Sequence, residues 1–378
     1  MDKTTYKKYR ATPSLRQAAK ALIQINPAAR DNFQFATVKV TSDHRCPFLT
    51  TENLCSIHVR HGEGLLSKAC RQYPRVLTRF GGKTQKALFL SCPEATRLVL
   101  LSSQLLPAPE RPLYRCVSSL EEEDCTEAAL HLTMRHLRTM ALDLLQDRSY
   151  PLWQRLFLLG IICRRVRESP PGQARWKVPQ LLSQYATIIS EGRLRPHLDG
   201  IPSRPEPQLG LVSQLIQRRF QLGQPEDGFA SRVAHFLQVV GMGGGAPQPD
   251  SAKRYSQAYL SHVLPFEQTV PLFLENYLFN HVFRTGFPST SGVDRGGRLR
   301  DPLVSYLFMA LHYRLLHSLL IGEATWHGSG FSAAHAIPVV YTFARAVEHN
   351  VNFFDEMLRL AQSPQLQTSD GMAMILRS

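Results

Sequence analysis

Leu130, Met134, Leu137, Ala141 and Leu144 recur at spacings of three and four, which is the stripe of an amphipathic helix. Val270, Leu274, Tyr277, Leu278 and Val282 draw the same stripe, and so do Leu303, Leu307, Ala310, Leu311 and Leu315. From about residue 107 onward the chain therefore reads as a helical body. Breaker clusters punctuate it at residues 169–172, 196–207, 241–249 and 286–297. The first hundred residues differ. Residues 15–25 read as a short helix, and residues 35–40 alternate like a strand. Residues 76–80, Gly81-Gly82 and residues 84–90 read as a β-hairpin, because paired glycines permit the positive φ of a tight turn. The pattern predicts a mainly α protein. A helical domain covers 107–378, and a small cysteine-bearing α+β module with the hairpin covers 1–106.

Composition narrows the class. The chain has 378 residues and is 43% hydrophobic, enough to build a core and too much for general disorder. Its formal net charge is +14, so an acidic partner is one reading. Residues 1–30 carry Lys3, Lys7, Lys8, Arg10, Arg16, Lys20 and Arg30 against Asp2. Tyr6 and Tyr9 lie among them, yet no nucleic-acid motif accompanies them, so nucleic acid is not the expected partner. The most apolar stretch picked out by eye, 152–163, is broken by Gln154 and Arg155, so no membrane span is expected. No apolar segment follows the charged start, which reads as a protein without an export signal, in a reducing cytoplasm. There, clustered cysteines are more often metal ligands or catalytic thiols than disulfides.

Four of the seven cysteines, Cys46, Cys55, Cys70 and Cys92, follow the spacing C-x8-C-x14-C-x21-C. Four thiolates close a tetrahedral zinc site or hold a [4Fe–4S] cluster. Four unrelated buried thiols are the alternative. The residues around them resemble a family. Cys-Pro-Phe-Leu with Leu-Cys-x-Ile-His, then Leu-Ser-x-x-Cys-x-x-Tyr-Pro-Arg, then Leu-Ser-Cys-Pro-Glu-Ala are similar to the signature of the flagellin lysine N-methylases. Glu275-Asn276-Tyr277-Leu278-Phe279-Asn280 and Val347-Glu348-His349-Asn350 follow in the same order. The resemblance spans roughly residues 6 to 360. It implies a cytoplasmic enzyme that methylates flagellin lysines, with S-adenosylmethionine as donor and an iron–sulfur cluster on Cys46, Cys55, Cys70 and Cys92. Members usually carry a further cysteine-rich stretch ahead of the segment that resembles 2–10, whereas this chain has no cysteine before Cys46. A non-enzymatic zinc or iron–sulfur interaction protein is the competing class.

Methyl transfer to lysine needs the neutral amine, a small fraction at pH 7 for a group with a pKa near ~10.4. A site must desolvate the ammonium or supply a base. Glu94, Glu275 and Tyr277 are the catalytic candidates, with Tyr73 and Tyr277 also able to position the amine. Arg71, Tyr73 and Arg75 are the candidates for contacts to donor or substrate. Each has a plainer reading. Glu94 opens a helix after Pro93, where the dipole favours a carboxylate. Tyr277 lies on an apolar stripe, and Glu275 lies off it and reads as solvated. Arg71 and Arg75 suit a helix C-terminus. His58 reads as a hydrogen-bonding neighbour of the cysteines, and residues 348–350 read as a helix cap. Gly241-Met242-Gly243-Gly244-Gly245 is followed by Ala246-Pro247-Gln248-Pro249 and reads as a linker, not a phosphate-type loop. A donor site outside a Rossmann-type core is expected. Arg71, Tyr73, Glu94, Glu275 and Tyr277 are expected to line a cleft where the helical body meets the cysteine module.

Overall fold

A computed structural model describes the chain apart from residues 28–31, 33–34, 43–44, 53, 81–82, 106–125, 170–173, 243–247 and 289–300. It divides into two compact units, Met1–Val76 and Leu77–Ser378. The sequence pattern placed the division near 106. It falls earlier because residues 83–100 pack onto the helices of the second unit.

In the first unit, α1 (Lys3–Ala11) starts at Asp2, whose carboxylate accepts from the Thr5 N–H at 2.8 Å and the Thr5 hydroxyl at 2.7 Å. That cap satisfies an otherwise unpaired amide of the first turn. Pro13 opens α2 (Pro13–Leu22), where its missing N–H costs nothing. The helix expected over 15–25 ends at Leu22, and β1 (Ile23–Ile25) takes over. It pairs antiparallel with β2 (Ala36–Val38), Ile23 opposite Val38. Two short helices follow, α3 (Ser56–His61) and α4 (Lys68–Gln72). Tyr9, Leu15, Ala19, Ile23, Ala36, Phe48 and Ile57 form this unit's small core.

The predicted hairpin is present as β3 (Arg75–Phe80) and β4 (Lys83–Leu88), paired in a second two-stranded sheet. Its glycine turn lies outside the described residues. The helices follow in order: α5 (Pro93–Leu100), α6 (Thr126–Gln146), α7 (Leu152–Arg167), α8 (Ala174–Ser190), α9 (Arg195–Asp199), α10 (Pro205–Gln221) and α11 (Asp227–Val239). Next, α12 (Ser251–Ala258) runs through a π turn into α13 (Leu264–Thr269). Then come α14 (Phe273–Thr285), α15 (Pro302–His327), α16 (Ala333–Phe343), α17 (Val351–Ala361) and α18 (Ser369–Leu376). The proline cluster 196–207, read as one loop, instead holds two helix starts: Pro196 and Pro205 sit in the first turns of α9 and α10.

α15 is the axis of this unit. Every residue from Pro302 to Ala324 is buried, with α7, α10, α11, α12, α14, α16, α17 and α18 packed around it. Among the described residues it is the helix long and apolar enough to cross a membrane, and its apolar stretch is wholly enclosed by protein. In the sequence its apolar run is interrupted by His312, Arg314 and His317. Arg314 is fully buried, and its guanidinium donates to the carbonyls of Ile375 at 2.5 Å and Leu376 at 2.8 Å. These are the last carbonyls of α18, which no intrahelical donor reaches. Arg314 also donates to the Tyr255 hydroxyl at 2.8 Å.

The approach of α11 to α15 is closest at Gly322, where an added Cβ would sit 2.5 Å from Phe236 Cα and 2.7 Å from its nitrogen. Backbone cannot yield as a side chain can. Gly322→Ala is expected to destabilise the second unit by about 1–3 kcal/mol, measured as a lowered urea midpoint. An unchanged midpoint would mean that the helix pair packs more loosely than this.

Candidate functional site

The cysteine segments have clear local physics. Ser67 caps α4 by accepting from the Cys70 N–H at 3.2 Å, so Leu-Ser-x-x-Cys is a helix start that fixes Cys70 in its first turn. Cys55 stands at the N-cap position of α3 and Cys92 at that of α5, with Pro93 next. Cys46, Cys55 and Cys70 gather around Tyr9. Burial, then Cys70 and Cys55, push the Cys46 thiol up, and burial with the same three thiols raises the Tyr9 phenol. Cys92 belongs to the second unit. Among the described residues no three His, Cys, Asp or Glu side chains are arranged to hold a metal ion. Cys163 is buried inside α7, and Cys116 and Cys125 lie outside the described residues.

The later motifs converge on α14. Asn280 donates its side-chain amide to the Leu88 carbonyl at 2.9 Å and accepts from the Leu88 N–H at 3.1 Å. A side-chain amide so takes the place of a neighbouring strand. Asn276 donates to the carbonyls of Leu100 at 3.2 Å and Ser102 at 2.8 Å, just where α5 ends. The Tyr277 hydroxyl donates to Glu348 at 3.0 Å, and Arg284 pairs with the same carboxylate at 3.1 Å. The next residue, His349, meets the Ser91 hydroxyl at 2.7 Å, while Arg345 donates to the Ser91 carbonyl at 2.9 Å. Leu-Ser-Cys-Pro-Glu-Ala, the α14 motif and Val-Glu-His-Asn thus meet around one buried polar knot. Asn350 caps α17 by accepting from the Phe353 N–H at 2.9 Å, as a cap reading requires.

The predicted catalytic residues sit as follows. Glu94 is exposed in the first turn of α5 and forms a two-pronged pair with Arg97 at 2.7 and 2.8 Å, which holds its carboxyl below the usual range. Glu275 is not solvated: it is 1% exposed. Its two oxygens are taken by Arg148 at 2.7 Å and Arg155 at 2.9 Å. Tyr277 is equally buried, and burial followed by the Glu348 charge drives its phenol well above normal. Both side chains are enclosed. Arg71 and Tyr73 are exposed in the first unit; Arg71 donates to the Leu66 carbonyl at 3.3 Å, and Arg75 donates to the Arg71 carbonyl at 3.4 Å.

A cavity of about 400 Å³ opens instead between the π turn, α13, the start of α14 and α15. Trp153, Tyr259, Phe273 and Tyr313 supply aromatic wall, and Glu267 and His317 supply the polar one. Arg314 donates to His317 Nδ1 at 3.3 Å. A guanidinium only donates, so Nδ1 is the bare nitrogen and Nε2–H donates to Glu267 Oε1 at 2.9 Å. Burial lowers the His317 pKa against the pull of Glu267. The Tyr259 hydroxyl donates to the other Glu267 oxygen at 3.4 Å, and burial raises both Tyr259 and Tyr313. Arg155, also in the wall, is committed to Glu275 and the Leu145 carbonyl, and the Arg377 guanidinium lies 4.6 Å from the Trp153 ring centre. Sequence reasoning passed over Glu267 and His317. For His317 the signal was there: an ionisable residue inside the long apolar helix α15, where it needs a partner.

Two further histidines carry a pH consequence. Burial, reinforced at His136 by Arg135, drops His136 to about 4, and burial drops His312 to about 4. His312 donates Nδ1–H to the Phe308 carbonyl at 2.8 Å and packs on the Phe308 and Phe343 rings. Both native pKa values lie below the unfolded 6.5, so between pH 6.5 and 4 the unfolded chain takes protons that the native chain refuses. Stability is full above pH 6.5 and falls toward pH 4, by up to about 3 kcal/mol per histidine. His312→Phe is expected to remove its share of the slope, measured by urea unfolding across that range. An unaltered slope would show that His312 protonates freely in the folded protein.

The family model of the FliB lysine N-methylase C-terminal domain matches residues 138–375. That span runs from within α6 into α18 and contains α14 and most of the cavity's lining residues. No curated protein and no solved structure matches the chain. With more than half its length matched, the chain belongs to the FliB lysine N-methylase family.

Proposed function

We propose that the protein transfers methyl groups from S-adenosylmethionine to lysine side chains of flagellin, in the cytoplasm. The observation that carries this reading is the family match over 138–375. The donor supplies an electrophilic methyl on a positively charged sulfur; the protein must supply an uncharged amine in line with it. Three residues first considered as the base are occupied: Glu94 by Arg97, Glu275 by two arginines, and Tyr277 by its own retained proton. The exposed Arg71, Tyr73 and Arg75 remain our candidates for contacts to the donor's carboxylate or to flagellin. The iron–sulfur cluster rests on the resemblance, and no step is routed through it.

The test is intact-mass analysis of flagellin after incubation with the full chain and S-adenosylmethionine. Gains in methyl increments that peptide mapping places on lysines are expected; an unchanged mass removes the reading. Cofactor content is read separately. Anaerobically purified protein should absorb near ~400 nm if the thiolates hold a cluster, and Cys70→Ser should lose that band together with its iron. A colourless, iron-free protein would remove the cluster and leave the methyl-transfer test standing.

A further inference from the structure

We propose that the cavity walled by Trp153, Tyr259, Glu267, Tyr313 and His317 receives the substrate's lysine side chain, the Glu267 carboxylate taking first its ammonium and then its proton. This rests on the methyltransferase reading above. A lysine side chain is an apolar stem with a cation at its tip, and the cavity has matching parts in matching places. Aromatic faces line the approach and favour both the stem and the charge. The acid in the wall, Glu267, is 27% exposed, so it is reachable from the opening, whereas its partner His317 is 2% exposed. Its volume, about 400 Å³, lies within the range of small-ligand sites.

Glu267 supplies the wall's carboxylate for a cation. Of the positive groups nearby, Arg155 is paired with Glu275, the Arg377 guanidinium stacks on the Trp153 ring, and Arg314 is directed at the α18 carbonyls. His317 is held neutral with its N–H on Glu267, so it orients the carboxylate without cancelling its charge. The Tyr259 hydroxyl is a second donor and adds no charge. Arg314 and His317 are positioning residues for Glu267, not groups that touch the substrate.

The chemistry balances. Once the stem fills the opening and excludes water, the ammonium and the carboxylate lose their hydration while in contact, and transfer of the proton to Glu267 removes both charges and leaves a neutral amine. The nitrogen lone pair forms a bond to the methyl carbon of the sulfonium donor. The carbon–sulfur bond breaks, and its electron pair stays on sulfur, which leaves as a neutral thioether. Glu267 returns the proton to water when the product departs.

Glu267→Gln preserves size and removes the charge. Its kcat/KM for flagellin methylation at pH 7 is expected to fall at least 100-fold, with retention of labelled S-adenosylmethionine in equilibrium dialysis unchanged within twofold. The pH profile carries the sharper readout. With the carboxylate present, ammonium and base enter together, and kcat/KM is flat from pH 6 to 9. In Glu267→Gln only amine already neutral in solution reacts, so kcat/KM rises about tenfold per pH unit toward ~10.4. A purely structural role would lower the rate without creating that slope. Leu152→Trp, at the cavity wall on α7 and not on the helix that carries the acid, is expected to raise KM about tenfold; it decides the matter if the first variant fails to fold. Near-normal rates in both variants, or loss of donor binding in Glu267→Gln (the cavity then holding the sulfonium), overturn the proposal while leaving the methyltransferase reading intact. Failure of the unaltered protein to methylate flagellin overturns both.

Discussion

A guanidinium in the middle of a hydrophobic helix organises the second unit. Arg314 is wholly enclosed, and among the described residues no carboxylate pairs with it; its charge is met by two carbonyls at the end of α18, by Tyr255 from α12, by the Ser378 hydroxyl and by His317 one turn along its own helix. Five donors in a fixed fork suit such a convergence, and lysine could not reproduce it. The arrangement satisfies helix-end carbonyls that water cannot reach. It also fixes the tautomer of His317, and through that the direction of Glu267. One buried charge therefore links the closure of the core to the shape of the cavity wall.

The α14 motif is the second such device, and its job is assembly. Asn276 and Asn280 bind main-chain groups of the segment that runs from β4 to the end of α5. Such contacts demand an amide with both donor and acceptor in register; leaving the buried main-chain groups unpaired would cost about 1–3 kcal/mol each. Glu275 is likewise an anchor: Arg155 is almost as buried as its partner, so each keeps the other from standing alone in the interior. The motif is recognisable in sequence because main-chain recognition tolerates few side chains, and an enzymatic role is not needed to explain it.

This distinction marks what was legible in the residues. The stripes over 130–144, 270–282 and 303–315 gave helices, since burial of one face is a local periodic property. The hairpin over 76–90 was readable from its glycines and alternation. The helix cap within 348–350 was readable as short-range chemistry, and Asn350 supplies it. What escaped was long-range. Nothing near Glu275 in sequence announces Arg148 and Arg155, over a hundred residues away, so it read as solvated. Nothing beside Glu267 announces His317, which lies on another helix. The prolines at 196 and 205 misled in a different way, because a proline ends one element or begins another with equal ease. The division at Val76 was hidden for the same long-range reason: the contacts that bind residues 83–100 come from α14 and α16.

The chain's overall charge sharpens what the cavity has to do. A formal +14 repels a lysine at a distance, although at physiological ionic strength that repulsion fades beyond a Debye length of about 8 Å. Attraction for the reacting group must then be short-ranged and internal. A carboxylate recessed in an aromatic wall meets this need, because its field is focused by low-dielectric surroundings while the exterior field is screened. Affinity for the whole protein substrate must come from elsewhere on the surface, where an excess of basic residues suits acidic stretches of a partner. Docking and proton removal are thereby separated: exterior charge governs encounter, and the one acid aimed into the cavity governs the chemistry.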